Sequence, residues 1–422
     1  MFRFEQTLPI TYDDIEAKEE HKFFCPPFDP YLCGIDTKAM GLCRKSLEDC
    51  NKQVEKNIIP LIYQQETEEK SDYAYESDDW SKSCLNSRLD YVKEFNNPEE
   101  IPINNFNLMT FNIWGLDAKN LDKYSFMEER MIKIANIINR ENVDIVCLQE
   151  MSKISFGYLN SQINYPYQSE DFIIDNLNEI RERTIDNFCY LKYQPERIEI
   201  HSLGGTLNYK NVLMIIVYPN LIIFNIYLQA GSEYSPGQEL NAIHYHRCRR
   251  EQHEQINYIR KTNFNDMPFI VCGDFNCDLN GPIEQWPELN EINHYGAIDT
   301  FRHLNPDDIG LTEDTDTNFL RWNTKFLPKH FRYDGIFGSR ELNPTRSYII
   351  GNEPYDLSQE EKLIVFEFLR NHKLGHKLSE IIYKEGTTDI MQWMPSDHYG
   401  VITYFGNIRG GYKYKCGIEF FL

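Results

Sequence analysis

From Phe106 onward the chain alternates short apolar runs with longer stretches of helical periodicity, a pattern that restricts it to an α/β fold with buried strands. Asp144-Ile-Val-Cys-Leu148 and Phe269-Ile-Val-Cys272 are two of the apolar runs. Strands are expected over Phe106–Ile113, Val143–Leu148, Phe269–Cys272, Phe331–Phe337 and Tyr399–Phe405, with helices over Phe126–Arg140 and Asn241–Lys261. Asn211–Val217 and Leu221–Leu228, split by Tyr218-Pro-Asn220, read as a hairpin. The stretch from about Leu342 to Gln392 reads as a helix-rich insertion.

Four polar clusters adjoin these strands: Thr110-Phe-Asn112, Leu148-Gln-Glu150, Gly273-Asp274-Phe-Asn276 and Ser396-Asp397-His398. Carboxylates, amides and one imidazole are thereby gathered at strand ends, where active sites are built. Singly, each has an ordinary explanation: a surface cap, an Asx-turn, or, for Asp334 in Arg332-Tyr-Asp334, a strand-edge salt bridge. Together they have the chemistry of a magnesium site. Glu150 offers a hard oxygen, and the amide of Asn112 can orient a metal or a phosphate. Gly273 lets the backbone approach a ligand, Asp274 and Asn276 can orient a water, and His398 suits general acid/base work with Asp334 as its orienting carboxylate.

No apolar run is long enough for a transmembrane helix, and the first residues, Met1 to Ile10 followed by Asp13, Asp14 and Glu16, lack the apolar core of a signal peptide. An intracellular, soluble protein is therefore expected. The formal net charge of −22 opposes nonspecific attraction to nucleic acid or anionic membrane, so a nuclease would need a locally positive site. Residues 1–100 read as an acidic, cysteine-containing appendage and linker, 101–408 as the catalytic domain and 409–422 as a tail. Of the eleven cysteines, Cys147 and Cys272 sit in buried-strand patterns. Disulfides, a loose zinc site and free thiols all stay open for Cys25, Cys33, Cys43 and Cys50. The segment from Cys25 to Cys50 resembles short cysteine segments in proteins of large DNA viruses, which implies a host cytoplasm or virion location.

The order Asn112, Glu150, Asp274-x-Asn276, Asp334, Asp397-His398 resembles the endonuclease/exonuclease/phosphatase superfamily over roughly residues 104–406. That resemblance implies a four-layer α/β sandwich with two mixed sheets around one or two Mg2+ ions, with Mn2+ as the alternative. It makes Glu150, Asn112 and Asp397 the metal-site residues, Asp274 and Asn276 the pair that positions the attacking water, and Asp334 and His398 the dyad. Asn225-Ile-Tyr227-Leu-Gln229-Ala230 has tyrosine where many members have histidine. This is similar to the apurinic endonucleases, in which the hydroxyl contacts phosphate; a strand tyrosine without a role is the alternative.

Thr312-Glu-Asp314-Thr315, Arg332-Tyr-Asp334-Gly-Ile-Phe337 and Pro395-Ser-Asp-His-Tyr-Gly400 resemble the phosphodiesterases that remove tyrosyl groups from DNA 5′ ends. The Leu228-Gln229-Ala230 turn resembles neutral sphingomyelinases. A nucleic-acid phosphodiester, at a DNA end or abasic site, is the expected substrate, with a phospholipid or an inactive binding scaffold as alternatives. Asn318, Trp322, Arg249 and Arg250 are the candidate substrate contacts. Arg249 and Arg250 lie in the one basic, aromatic patch, which also reads as a solvated helix face with a structural arginine.

Overall fold

A computed structural model describes residues 88–115, 126–169, 187–203, 212–231, 239–318, 320, 329–362 and 392–406. The chain divides into two units, 1–78 with 234–239 and 79–233 with 240–422, and the described residues other than Glu239 belong to the second. Cys25, Cys33, Cys43, Cys50, Trp322 and the 409–422 tail lie outside the described residues.

The first strands are β1 (Arg88–Glu94) and β2 (Asn105–Asn112), followed by helix α1 (Met127–Glu141), β3 (Ile145–Gln149) and helix α2 (Lys153–Asn160). Strands β4 (Tyr167–Gln168), β5 (Asn187–Leu191), β6 (Arg197–Ser202), β7 (Val212–Tyr218) and β8 (Leu221–Tyr227) lead to the long helix α3 (Glu239–Asn263). After it come β9 (Phe269–Asp274), α4 (Leu289–Asn293), β10 (Ile298–Asp299), α5 (Thr300–Leu304), β11 (Glu313–Asp314), β12 (His330–Phe331) and β13 (Asp334–Gly338). The last strands are β14 (Pro344–Ile350), β15 (Tyr355–Asp356), β16 (Gln392–Trp393) and β17 (Gly400–Gly406).

Two mixed sheets result. One has the order β1-β6-β7-β8-β9-β13-β10 and the other β14-β17-β2-β3-β5-β4. Three apolar layers define their stacking. Phe106, Leu108, Ile145 and Val401 of one sheet meet Ile198, Ile216, Ile270 and Ile336 of the other, forming the inner layer. On one outer face, Ile256 and Ile259 of α3 and Ile292 of α4 cover Ile215, Phe224 and Val271. On the opposite face, Met131, Ile134 and Ile138 of α1 with Phe156 and Leu159 of α2 cover Met109, Phe111, Val146 and Leu148. This is the four-layer α/β sandwich, and it explains the unbroken apolar runs, because the central strands are covered on both faces.

The helix and hairpin expectations hold to within a residue or two at each end. Helix α1 stops at Asn142, which takes the left-handed conformation at φ 46° that asparagine tolerates at a C-terminus. The β7–β8 hairpin pairs Tyr218 with Leu221 around Pro219-Asn220. Three expectations need correction, the first being Phe331–Phe337, which is no single strand: Phe331 ends β12 and Asp334 starts β13, in different sheets. Pro344–Ile350, at the start of the expected helical insertion, is an edge strand paired with β17, with Pro344 at the first position where a missing N–H is tolerated. Arg88–Glu94, expected in the linker, is an edge strand of the other sheet, pairing with β6.

Gly273 also differs in its reason for being glycine. At φ 140° a Cβ would lie 2.0 Å from the carbonyl oxygen of Ile226 on the neighbouring strand, so the residue clears β8 rather than a ligand. Arg249 is corrected more sharply. It is fully buried, with Nε on Glu288 Oε1 at 2.6 Å and Nη1 on the carbonyl of Gln229 at 2.8 Å. Glu288 also takes His246 Nδ1 at 2.9 Å. An arginine committed in this way fastens α3 to the segment following β8 and has no substrate role to play. Arg250 points elsewhere, half-exposed and 3.7 Å from Glu291.

Burial pushes the Glu288 carboxyl up, but the His246 hydrogen bond and the Arg249 charge outweigh it and hold it below the usual value of 4.5. Its stabilising contribution is therefore present above that value and lost as pH falls through the lowered one. Glu288→Gln leaves a buried guanidinium short of its counter-charge and should cost about 3–5 kcal/mol at pH 7. In urea titrations the gap from wild type should close as pH drops below about 4.5; a gap that widens there contradicts the assignment. Gly273→Ala, forced against a backbone carbonyl, should lower stability by about 1–3 kcal/mol, and an unchanged urea midpoint would contradict it.

Candidate active site

The registers place the polar clusters at one end of both sheets. Across three neighbouring strands Tyr227 pairs with Asp274 and Asp274 with Asp334, so these side chains form a row on one face. On the other sheet Asn112 pairs with Gln149, one residue before Glu150, and His398 lies two residues before β17. Below this end a buried amide network spans the sheets. Gln149 Nε2 donates to Thr110 Oγ1 at 3.0 Å and to Asn225 Oδ1 at 2.8 Å, while Asn225 Nδ2 donates to the Phe188 carbonyl at 3.1 Å.

Asn112 is the junction of the site. Its Nδ2 donates to Asp274 Oδ2 at 2.9 Å and to Glu150 Oε1 at 3.2 Å, one carboxylate from each sheet. Its Oδ1 accepts the amide of Trp114 at 3.0 Å, which fixes the side-chain amide's orientation. Glu150 stands at φ 59°, a left-handed conformation that an ordinary side chain adopts only when its surroundings impose it. What imposes it here is the start of α2, where Ser152 and Ser155 form a reciprocal cap two residues on. Gly115 packs so close that a Cβ there would lie 2.7 Å from the Glu150 carbonyl.

The half-buried Tyr227 donates its hydroxyl to Glu150 Oε1 at 2.7 Å, so its hydrogen bond goes to a carboxylate from across the sandwich. Asp274 Oδ1 accepts the backbone amide of Asn276 at 2.8 Å. The Asx-turn is present, with one oxygen serving the turn and the other accepting from Asn112. Asn276, at φ 50°, donates Nδ2 to the Leu228 carbonyl at 2.9 Å. His398 Nδ1 lies 2.9 Å from Asp334 Oδ2, both buried, and forms the expected dyad.

Asp397 is buried beside that dyad on a loop held from several sides. Asn318 Nδ2 donates to the Ser396 carbonyl at 2.9 Å, and Ser396 Oγ donates to the Asn112 carbonyl at 2.7 Å. Asn318 therefore holds the loop from behind. Thr312 Oγ1 accepts the amide of Asp334 at 3.0 Å, while the Thr312 carbonyl accepts that of Tyr399 at 2.7 Å. Thr312 and Ser396 lie in segments that the sequence marks out, whereas Arg130 is not among them. Arg130 lies among Met127, Met131 and Ile134 on the apolar stripe of α1, and that position is the signal that it points inward.

Four buried carboxylates share this volume. Burial pushes Asp274 up to about 8, reinforced by the charge of Asp334 and opposed by His398 and Asn112. Burial, then the charge of Asp397, also raises Glu150, against hydrogen bonds from Tyr227 and Asn112. Burial works against the charge on His398, but Asp334, Asp274 and Asp397 together hold its pKa well above the usual value. A site that crowds carboxylates out of water favours a cation among them. Glu150 Oε2 and Asp334 Oδ1 are buried and accept no hydrogen bond among the described residues, so hard oxygen ligands are open to such a cation. Ligand atoms of Asp274, Asp334 and His398 lie within 4.8 Å of one another. His398 Nδ1 is engaged by Asp334. Asp314, Asp316 and His330 form a second such group, but it is more exposed and Asp314 Oδ1 already accepts Asp316 N and His330 Nδ1.

Among solved structures, truncated TDP2 from Caenorhabditis elegans is 17% identical, covering 72% of this chain and 98% of that one at a TM-score of 0.46. TDP2 from D. rerio complexed with a single-strand DNA product is 17% identical over 72% and 99%, at 0.44. A beta toxin from Staphylococcus aureus is 17% identical over 71% and 99%, at 0.49. A comparison with curated proteins found no match. No helix among the described residues is long and apolar enough to cross a membrane. Residues 109–398, more than half of the chain, match the Endonuclease/Exonuclease/phosphatase family, and the chain belongs to this family of divalent-metal-dependent phosphodiesterase- and phosphatase-type hydrolases.

Proposed function

We propose that the protein is a Mg2+-dependent phosphodiesterase that cleaves nucleic acid, at a DNA end or an abasic site, by in-line attack of water. The observation that carries the reading is the single amide of Asn112 joining Asp274 to Glu150, with the His398–Asp334 dyad closing the same end of the sandwich. Glu150 and Asp397 would hold the ion, with Asn112 restraining the Glu150 carboxylate. When bound, the ion neutralises charge on the phosphate oxygens and lowers the pKa of coordinated water.

The protein's own groups divide the remaining work. Asp274, its carboxyl raised by burial and by Asp334, takes the proton from the attacking water. His398, held as imidazolium by its carboxylate neighbours, donates a hydrogen bond to the phosphate oxygen on which charge develops. Asp334 keeps that ring oriented through Nδ1. Asn276 fixes the conformation after β9 and, through its backbone amide, one oxygen of Asp274. Tyr227 restrains Glu150.

The nucleic-acid assignment rests on the wording of segments 312–318, 332–337 and 395–400, which resembles DNA 5′-end phosphodiesterases. These segments are neighbours in space: Asn318 bonds Ser396, and Thr312 bonds both Asp334 and Tyr399. Arg249 does not contribute to polyanion contact, being spent inside the fold.

Cleavage of bis(p-nitrophenyl) phosphate should require Mg2+ or Mn2+ and stop with EDTA. Asp274→Asn and His398→Ala should each lower kcat by about 10²–10⁴-fold with the fold intact by circular dichroism. Turnover that survives EDTA would overturn the metal assignment, and wild-type kcat in either variant would overturn that residue's role. Assayed side by side, oligonucleotides with a 5′-blocked end or an abasic site should be cut. Hydrolysis of sphingomyelin micelles without DNA cleavage would transfer the assignment to phospholipid.

A further inference from the structure

Arg130 is one of the largest fully buried side chains among the described residues, and it sits on a helix that otherwise packs through methionine and isoleucine. Placing a guanidinium there costs several kcal/mol by desolvation unless each of its donors is met. Three of its hydrogen bonds go to backbone carbonyls of two separate segments, and a fourth goes from Nη2 to Met127 Sδ at 3.5 Å. Nη1 donates to Ile113 at 3.1 Å and to Pro395 at 3.1 Å, and Nη2 donates to Trp114 at 2.9 Å. The guanidinium carbon also lies 4.8 Å from the centroid of the Trp114 ring, in cation–π range.

Those carbonyls are placed tellingly. Ile113 follows Asn112 directly, and Pro395 comes two residues before Asp397. Trp114 stands at φ 46°, a conformation rare for a bulky side chain, and its amide bonds back to Asn112 Oδ1. We infer that Arg130 is a positioning residue of the hydrolytic site, a buried fork that fixes the Asn112 strand end and the Asp397–His398 loop relative to each other and sets their affinity for the divalent cation.

This inference rests on the hydrolase reading above, and it deepens that reading by naming what couples the two halves of the cation site. A lysine would be a poor substitute, because one ammonium on a flexible stem cannot span three carbonyls in a fixed plane. Burial lowers Arg130 to about 10, with Tyr355, Asp397 and Glu150 pulling the other way, so the group stays charged at neutral pH. Its positive charge therefore also offsets the carboxylates above it.

The test compares wild type with Arg130→Lys and Arg130→Met, reading thermal midpoint, Mn2+ affinity by electron paramagnetic resonance, and kcat and KM on bis(p-nitrophenyl) phosphate. Residues that orient metal ligands from behind typically change metal affinity by about 10–100-fold when altered. Both variants, assayed well below their thermal midpoints, should bind Mn2+ at least about 10-fold more weakly and lose kcat, with KM little changed. Lysine should recover only part of the loss. Wild-type Mn2+ affinity in a folded Arg130→Met protein overturns the inference. Should that variant not fold, wild-type affinity and turnover in Arg130→Lys overturn it instead. A wild-type protein that binds no Mn2+ and cleaves no phosphodiester is a different outcome, which removes the hydrolase reading and this inference with it.

Discussion

The two hydrogens of one side-chain amide hold the active end of this protein together. Asn112 gives one to Asp274 and one to Glu150, carboxylates that belong to opposite sheets of the sandwich. Neither sheet alone contains a site. The carboxylate row of Asp274 and Asp334 lies on one sheet, while Glu150 and His398 lie at strand ends of the other, so the site exists only when the inner layer packs at the right separation. Tyr227 on Glu150 and His398 on Asp334 repeat the crossing, giving three polar bridges at one mouth. The His398 bridge carries an imidazolium, the stronger class of hydrogen bond, and that strength suits it to fixing a distance between layers.

Deeper in the sandwich the same separation is set by neutral groups. Gln149 and Asn225 face each other inside a largely apolar layer, an arrangement tolerable because their amides find carbonyl and hydroxyl partners on several strands. At the mouth charge accumulates instead. Four carboxylates outnumber the nearby imidazole and the buried Arg130, and burial, then this crowding, raises the carboxyls of Asp274 and Glu150. Left-handed backbone at Glu150 and Asn276 adds conformational cost at the same spot.

Much of this was legible in the residues. Central strands such as Phe269–Asp274 announce themselves by apolar character on both faces, and the polar residues at their ends then stand out. The edge strands Arg88–Glu94 and Pro344–Ile350 did not, because half-exposed strands carry charges in an alternation too short to separate from a loop or helix. Arginine was the least readable residue type. Arg249, on a polar helix, looked available to substrate, yet its guanidinium is enclosed by Glu288 and a carbonyl. Arg130 was passed over, although its place within an apolar stripe was a usable sign. Which carbonyls need a donor depends on how remote segments meet, and spacing along the chain does not contain that.

We propose that Glu150 and Asp397, steadied by Asn112, form a divalent-cation site at the strand ends of this sandwich. Locating Mn2+ by anomalous diffraction in crystals of the full chain tests it most directly. A peak bonded to Glu150 Oε2, within the space enclosed by Asp274, Asp397 and His398, is the predicted result. A peak found instead on Asp314, Asp316 and His330, with nothing at Glu150, would contradict the account.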